Sequence, residues 1–342
     1  MKPILVTGGA GYIGSHTCKE LAAAGFLPIT YDDLSTGHAY AVKWGPFIEG
    51  NINDREKLKE TFKKYQPIAV LHFAGSALVS ESLEDPGKYY RNNVAYTTAL
   101  LEAMMEARVF HLIFSSSCAT YGDPQFTPIT EAHPQNPISP YGRSKLMTEQ
   151  MIADFERAHG LKGVVLRYFN AAGADLTTEI GENHAPETHL IPSVIQTALG
   201  VRPEITVFGT DFSSRDGSAI RDYIHVQDLA CAHVAALKWS LSSQKSVSVN
   251  LGTGTGHSVL EIIEAVQKFC GKTIPVRLEK RRVGDPSLLT ANMQLAKELF
   301  GWTPRFSDLP TIIESAWRWH QLLMENAPLL RSTLSRLEEG KC

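Results

Sequence analysis

The run TGGAGYIG at residues 7–14 constrains this chain more than any other segment. Gly8, Gly11 and Gly14 stand between an apolar run, Ile4–Thr7, and a stretch from Ile13 to Ala24 with helical spacing that stops at Gly25. Residues without a Cβ let a strand turn tightly into a helix. They also bring the backbone close to a pyrophosphate held on the helix N-terminus. The same turn serves plain strand–helix packing, so the glycines alone say little. Their context says more. A second strand, predicted at Leu27–Tyr31, is followed by Asp32, where a carboxylate can hold both hydroxyls of an adenosine ribose and repel a 2′-phosphate. No arginine follows to reverse that preference, so NAD rather than NADP is the expected cofactor.

The first half continues in the same alternation. Strands are predicted at Phe47–Glu49, Ile68–Phe73, Val109–Ser115 and Val164–Tyr168, and helices from Asp54 to before Pro67, over Pro86–Arg108 and over Ser139–His159. This predicts an α/β chain with a Rossmann-type doubly wound parallel sheet. After Asn170 the pattern loosens into loops at Gly173–His189 and Gly209–Ala219, with helices predicted at Gln227–Ser240, Val259–Phe269 and Leu309–Leu323. The tail after Ala327 is polar and reads as surface helix or disorder. The expected division is a dinucleotide-binding domain at 1–170 and a smaller interleaved C-terminal α/β substrate lobe at 171–342, with about 220–255 returning to the first domain.

Composition is ordinary for a globular chain: of 342 residues, 43% are hydrophobic and 20% charged, and the net charge of -3 argues against nucleic acid as a partner. The first strand begins almost at Met1, leaving no room for a signal peptide, and no apolar run reaches membrane-spanning length. Cys18, Cys118, Cys231, Cys270 and Cys342 are scattered without a CxxC spacing, which points to a reducing compartment, the cytoplasm.

The chemistry centres on SPYGRSK, where Tyr141 and Lys145 lie one helical turn apart. A tyrosine titrates near pH ~10 in water and is a poor base at neutral pH unless a neighbouring cation favours the phenolate. Packing does not require that pairing, whereas proton abstraction from an alcohol does. Ser117 closes the fifth predicted strand region, at the carboxyl edge where doubly wound sheets bind ligands, and can share in moving the proton. Lys145 has two available jobs, depressing the tyrosine pKa and holding a nicotinamide ribose.

These residues carry a resemblance to the extended short-chain dehydrogenase/reductase superfamily and, within it, to the UDP-glucose 4-epimerases. TGGAGYIGSH, HFAG at 72–75, SSSCATYG at 115–122 and SPYGRSK at 139–145 resemble the superfamily's motifs. RYFNAAGA at 167–174, HLIP at 189–192 and RDYIHVQDLA at 221–230 are similar to segments of the nucleotide-sugar 4-epimerases, and the likeness runs from Met1 to about Leu323. It implies that Tyr141, assisted by Ser117, takes the proton of a sugar 4-hydroxyl. NAD takes and returns the hydride, and the 4-keto sugar turns over in between. On the cofactor side it implies Gly8, Gly11, Tyr12, Ile13, Gly14, Asp32, Asn51, Ile52, Phe73, Ala74, Gly75, Asn93, Ser115, Tyr141, Lys145 and Tyr168. On the UDP-sugar side it implies Ser117, Tyr141, Asn170, His189, Leu190, Val207, Phe208, Arg221, Arg282, Asp285 and Leu289.

Departures from the family pattern are specific. Ala77 stands where many members have lysine, Asn51 where aspartate is usual, and His189 where asparagine is common. At His189 a neutral imidazole is expected, with a charge that follows pH. Leu289 stands where a tyrosine or a small residue sets sugar size, so UDP-N-acetylglucosamine and UDP-pentoses stay open as substrates. A dehydratase would need an Asp-Glu pair where Ser117-Cys118-Ala119 stands, and an inert NAD sensor would not need Tyr141 and Lys145. Glu182, His184, Glu187 and His189 share a loop with irregular spacing and read as surface polarity, with no metal expected. Trp302, Trp317 and Trp319 read as core or interface anchors. The resemblance also implies a homodimer built on two helices, with Leu100, Leu101, Met104 and Met147 fitting either that contact or ordinary packing.

Overall fold

The computed structural model describes residues 1–282 and 285–339, with side chains described through Glu325; Cys342 lies outside the described residues. Thirteen strands are present among them. They are β1 (Lys2–Thr7), β2 (Phe26–Asp32), β3 (Phe47–Glu49), β4 (Ala69–His72), β5 (His111–Ser117), β6 (Lys162–Tyr168), β7 (Asn170–Ala172), β8 (Ile205–Phe208), β9 (Ile220–His225), β10 (Val247–Leu251), β11 (Gly256–Ser258), β12 (Val276–Glu279) and β13 (Leu288–Leu289). Seven of these form one parallel sheet in the order β10-β6-β5-β4-β1-β2-β3. The strand order reverses between β1 and β4, so ligands are expected at the carboxyl ends beside that point.

The helices are α1 (Tyr12–Ala23), α2 (Arg55–Tyr65), α3 (Val79–Glu84), α4 (Pro86–Tyr89), α5 (Tyr96–Glu106), α6 (Pro140–His159), α7 (Leu190–Ala198), α8 (Val226–Ser243), α9 (Val259–Cys270), α10 (Gln294–Phe300) and α11 (Leu309–Glu339). Strand alternation divides the core. Ile4 and Val6 point to the face covered by α1 and α8, while Leu5 points to the face covered by α2, α5 and α6. A third cluster, holding Ile191, Val194, Ile262, Ile263, Ile312 and Trp317, joins α7, α9 and α11 around β8 and β9. Local chemistry sets the helix starts: Asp54 caps α2 by accepting from the Lys57 amide at 3.1 Å, and Ser139 caps α6 by accepting from the Gly142 amide at 3.1 Å.

One expectation needs correction, and one open reading is decided. The predicted helix over Pro86–Arg108 is three pieces, because a π-helical turn at Tyr90–Ala95 separates α4 from α5. Such turns carry an extra residue per ladder bond and re-aim side chains; here Asn93 is buried and faces α6, donating to Ser144 Oγ at 2.9 Å. Leu100, Leu101 and Met104, left open between a dimer contact and sheet packing, are fully buried against the sheet, and Met147 alone of the four is exposed. The helical spacing of these residues is equally that of a sheet-facing stripe, and sheet packing claimed them.

The glycine turn is sterically closed at two of its three points. A Cβ on Gly8, whose φ is +73°, would lie 2.5 Å from the Ala74 amide nitrogen, and one on Gly14 would lie 2.1 Å from the Gly8 carbonyl oxygen. Gly14→Ala is therefore expected to destabilise the protein by about 1–3 kcal/mol through overpacking, read as a lower urea midpoint. An unchanged midpoint would mean that the turn can open without cost.

Candidate active site

Ser117 ends β5 and Tyr141 lies in the first turn of α6, and the two side chains meet at the carboxyl edge of the sheet. Ser117 Oγ accepts from the Ala119 amide at 3.1 Å, and its hydroxyl hydrogen-bonds the Tyr141 phenol. Tyr141 stacks edge-on against Tyr89, with ring centroids 6.3 Å apart. Burial pushes the Tyr141 phenol up to about 12, the Ser117 hydroxyl pulls the other way, and Cys118 adds to the rise. Lys145 is buried, and burial brings its amine down to about 8 while the charge of Glu149 works upward.

Here the geometry differs from the expected ion–phenol pair. Lys145 Nζ donates to the Ser115 carbonyl at 2.8 Å and lies 5.9 Å from the centre of the Tyr141 ring. No hydrogen bond joins the two side chains among the described residues, and burial is the largest influence on the phenol. The lysine stem is drawn to the strand end because a buried ammonium needs an acceptor, and the Ser115 carbonyl at the β5 edge provides one. Ser115 Oγ in turn hydrogen-bonds the Tyr168 hydroxyl, whose pKa burial raises.

The glycine turn opens on the same edge. Gly11 is the N-cap of α1 and supplies no capping side chain, and no acid occupies the first turn. A Cβ on Gly11 would meet only the Gly8 carbonyl, at 3.3 Å. Packing thus demands Gly8 and Gly14, whereas Gly11 leaves space beside bare helix amides, the arrangement a pyrophosphate needs. Asp32 is buried and ties the turn to β2, one carboxylate oxygen accepting from the Ala10 amide and the other from the Leu34 amide, both at 2.9 Å. Each oxygen retains a lone pair for a ribose hydroxyl. Tyr12 donates to the Gly173 carbonyl at 2.6 Å, and Ile13 packs into the α1–α8 face. Phe73, Ala74 and Gly75 end β4 beside the turn, and Asn93 receives the Ser76 amide at 2.8 Å, fixing that edge. The residues present fit a dinucleotide.

Two residues read as cofactor contacts are partly engaged elsewhere. Asn51 donates to Asp33 at 2.8 Å and accepts from the Asn53 amide at 2.9 Å, which leaves one N–H and one lone pair of its amide for a ligand. Ile52 is buried in the core beside β2, where only its backbone can face a ligand.

Across the cleft, Asn170 begins β7 opposite Tyr223 of β9, and Arg221 lies on β9 in register with Leu289 of β13. Arg221 pairs with Asp285, and the Arg282 guanidinium sits 3.9 Å from the centre of the Phe208 ring. Leu289 and Cys118, the residue after Ser117, pack against the same small cluster of Tyr121, Ile129, Phe169 and Ala291. Val207 departs from expectation: alternation along β8 turns its side chain into the core, opposite to Phe208. Leu190, first residue of α7, likewise packs against the core cluster.

The loop before α7 also departs from expectation. Glu182 and Glu187 are buried, not surface polarity, and Glu182, His184, Glu187 and His189 converge. For His189, burial alone would lower the pKa, but the charges of Glu182 and Glu187 win and raise it to about 10. The imidazole read as neutral is therefore held protonated at neutral pH.

Three supporting residues were missed. Asp222 is fully buried and accepts the amides of Thr253, Gly254 and Ala291 at 2.8–3.0 Å, which holds the loop after β10 and the segment after β13 beside Arg221. Its place next to Arg221 in RDYIHV was the available signal. Glu149 and Arg167 form a buried ion pair at 2.6 Å behind the β5 end, extended by Arg167 donation to Tyr121 at 3.0 Å. Glu149 lies four residues after Lys145, a spacing that places it on the same helix face.

A parallel sheet with a glycine turn at its reversal point and a buried Tyr–Lys pair at the same edge defines a nucleotide-dependent enzyme of the short-chain dehydrogenase/reductase kind. The chain belongs to the NAD dependent epimerase/dehydratase family, whose sequence profile matches residues 4–252. It is 51% identical to the UDP-glucose 4-epimerase of Rhizobium meliloti (strain 1021), over 93% of this chain and 96% of that one. The fold matches the UDP-glucose 4-epimerase of Brucella ovis in complex with NAD, with a TM-score of 0.91, 52% identity and coverage of 93% of this chain and 98% of that one. It also matches the Stenotrophomonas maltophila UDP-glucose-4-epimerase with bound NAD and formylated UDP-arabinopyranose, with a TM-score of 0.92, 39% identity and coverage of 95% and 99%.

Proposed function

We propose that this chain interconverts UDP-glucose and UDP-galactose by inverting C4, with NAD as a resident cofactor. The observation that carries the reading is the meeting of Ser117, Tyr141 and Lys145 on the sheet edge that also holds the open Gly11 turn, facing Arg221, Arg282 and Asn170. When bound, NAD supplies the hydride acceptor and donor for C4. Tyr141 removes the proton of the 4-hydroxyl, with the Ser117 hydroxyl bridging to the sugar oxygen, and returns it after the 4-keto sugar has turned. Lys145, anchored on the Ser115 carbonyl, holds the nicotinamide ribose. Gly8, Gly11, Gly14 and Tyr12 cradle the pyrophosphate, Asp32 the adenosine ribose, and Phe73–Gly75, Asn93 and Tyr168 the nicotinamide half.

For the nucleotide sugar, opening the Arg221–Asp285 pair frees a guanidinium for the diphosphate and a carboxylate for the uridine ribose. Arg282 and Asn170 add donors, Phe208 packs near the uracil, and protonated His189 adds positive charge. The proposed division of the chain puts the cofactor in 1–170 and the nucleotide sugar mainly in 171–342, with about 220–255 returning. Dehydration lacks its carboxylates, since Ser117, Cys118 and Ala119 occupy the place.

A homodimer belongs to the same proposal. Val79 and Leu83 of α3 and Met147 of α6 are exposed on helices that pack together. The described cysteines are all free, which supports a cytoplasmic setting. No helix among the described residues is long and apolar enough to cross a membrane.

Incubation with separate UDP-sugars, with products resolved by NMR, tests the reading. Interconversion of UDP-glucose and UDP-galactose is expected, and its absence in NAD-loaded protein would overturn the proposal. Slower turnover of UDP-N-acetylglucosamine is also expected, because Leu289 lacks the bulk of a tyrosine. Leu289→Tyr should remove the acetylated activity and spare the hexose activity; loss of both together would place Leu289 in a different role.

A further inference from the structure

We infer that Glu182, His184, Glu187 and His189 form a divalent-metal site of the zinc class, in which an ion held partly by His189 would supply the positive charge that the proposed function otherwise assigns to the protonated imidazole. His184 Nδ1 lies 3.3 Å from Glu182 Oε1 and 3.6 Å from Glu187 Oε2. His189 Nδ1 lies 2.8 Å from Glu182 Oε1 and 3.1 Å from Glu187 Oε1. Four donors at bonds of about 2.0–2.1 Å around a tetrahedral ion stand roughly 3.4 Å apart; the histidine–glutamate separations run from 2.8 to 3.6 Å, with Glu187 reaching the two histidines through different oxygens. One ligand atom from each of the four residues lies within 4.8 Å of every other. Two carboxylates and two neutral imidazoles balance a dication, and this N2O2 donor set suits zinc.

A second observation points to a ligand. Within the cluster, His184 Nδ1 and Glu187 Oε2 are buried and have no hydrogen-bond partner. Glu187 is only 5% exposed, and its orphan oxygen faces the orphan nitrogen. Leaving such atoms unmatched is costly because each loses its water without gaining a partner; a cation between them satisfies both. With each histidine protonated, this pair is held only as an ion pair at 3.6 Å, beyond hydrogen-bond distance.

The backbone carrying the ligands is fixed from outside, as metal sites require. Trp319 Nε1 donates to the Glu182 carbonyl at 2.9 Å, and its ring fills the space that a Cβ on Gly181 would need, 2.4 Å away. The Glu187 carbonyl accepts from Arg202. His38 Nε2 hydrogen-bonds the Asn183 carbonyl at 2.8 Å, and Tyr12 meets His184 edge-on at 6.5 Å. The ion would draw together the two ends of the loop before α7, whose His184 ring meets Tyr12 of α1 edge-on. Binding exchanges the cation for whatever protons the two imidazoles carry, with no other change in bonding.

The test uses full-length protein stripped with a chelator, then titrated with Zn2+ and separately with Co2+. One tightly held zinc per chain, the visible absorption of tetrahedral Co2+ without thiolate bands, and a rise in Tm with zinc are expected. Glu187→Gln should weaken binding by about 100-fold or more, and His184→Asn by about 10–100-fold. Circular dichroism reports whether each variant is folded, and the more exposed His184 position decides if Glu187→Gln does not fold. Folded wild-type protein that retains no zinc at saturation would overturn the site. So would a stoichiometric zinc that survives in both variants with unchanged affinity.

Discussion

Tyr141→Phe should lose about 10²–10⁴-fold in turnover, the usual worth of a positioned acid–base group, while retaining bound NAD. The phenyl ring preserves the edge-on contact with Tyr89 and removes only the oxygen. The nucleotide sites at Gly11 and Asp32 lie on other elements and stay intact. The phenol is pushed up to about 12 mainly by burial, so removing it takes away a group that the free protein keeps protonated, and little change in stability follows. Nucleotide released on denaturation, measured beside single-turnover rates, separates loss of chemistry from loss of cofactor. Near-normal turnover would assign proton transfer to another group.

Lys145→Met should be similarly inactive and carries a second signature in stability. Burial lowers the folded-state pKa from the ordinary 10.5 to about 8. Between those values the unfolded chain binds a proton that the folded chain does not, so this group makes the wild type more stable as pH rises through that window. Below pH 8 the whole penalty is in force, roughly 3 kcal/mol at 1.36 kcal/mol per unit. The stability of wild type minus Lys145→Met should therefore climb by about 2–3 kcal/mol from pH 7.5 to 10.5, because other lysines cancel in the difference. A difference flat across that range would remove the buried-charge account. The measurement is independent of catalysis, so it also separates a charged lysine tethered on Ser115 from one that only packs.

Much of the first half was legible because its signals are local. β3 coincides with the predicted Phe47–Glu49, and α6 runs one residue inside the predicted Ser139–His159 because Ser139 is its cap. Alternating apolar runs and capping residues act within a few positions of themselves, and so survive reading along the chain. The site was legible where a single turn carries it. Tyr141 with Lys145, and Gly8 with Gly11 and Gly14, depend on spacings that one helix or one strand–helix junction enforces.

What spacing along the chain left undecided shares one cause. Leu100, Leu101 and Met104 have the same spacing whether they meet a sheet or a second chain, and only the position of β4 and β5 beneath α5 settles which. Val207 and Phe208 differ by one residue, and the side of the sheet each occupies depends on where β8 sits against α7 and α9. The irregular spacing of Glu182, His184, Glu187 and His189 concealed a cluster that Trp319, more than a hundred residues away, helps to hold.

By itself, then, the sequence determined the alternation that builds a doubly wound sheet, the glycine turn and the acid proposed to hold a dinucleotide, and the Tyr–Lys spacing on one helix face. Each is enforced by bond geometry over a few residues. Only the tertiary structure decided that Lys145 anchors on the Ser115 carbonyl rather than on the phenol, that Arg221 waits paired with Asp285, that β10 sits beside β6, and that two glutamates and two histidines share one buried point. Those outcomes depend on which partners long-range packing brings within about 3 Å, where burial makes every unmatched charge and lone pair costly.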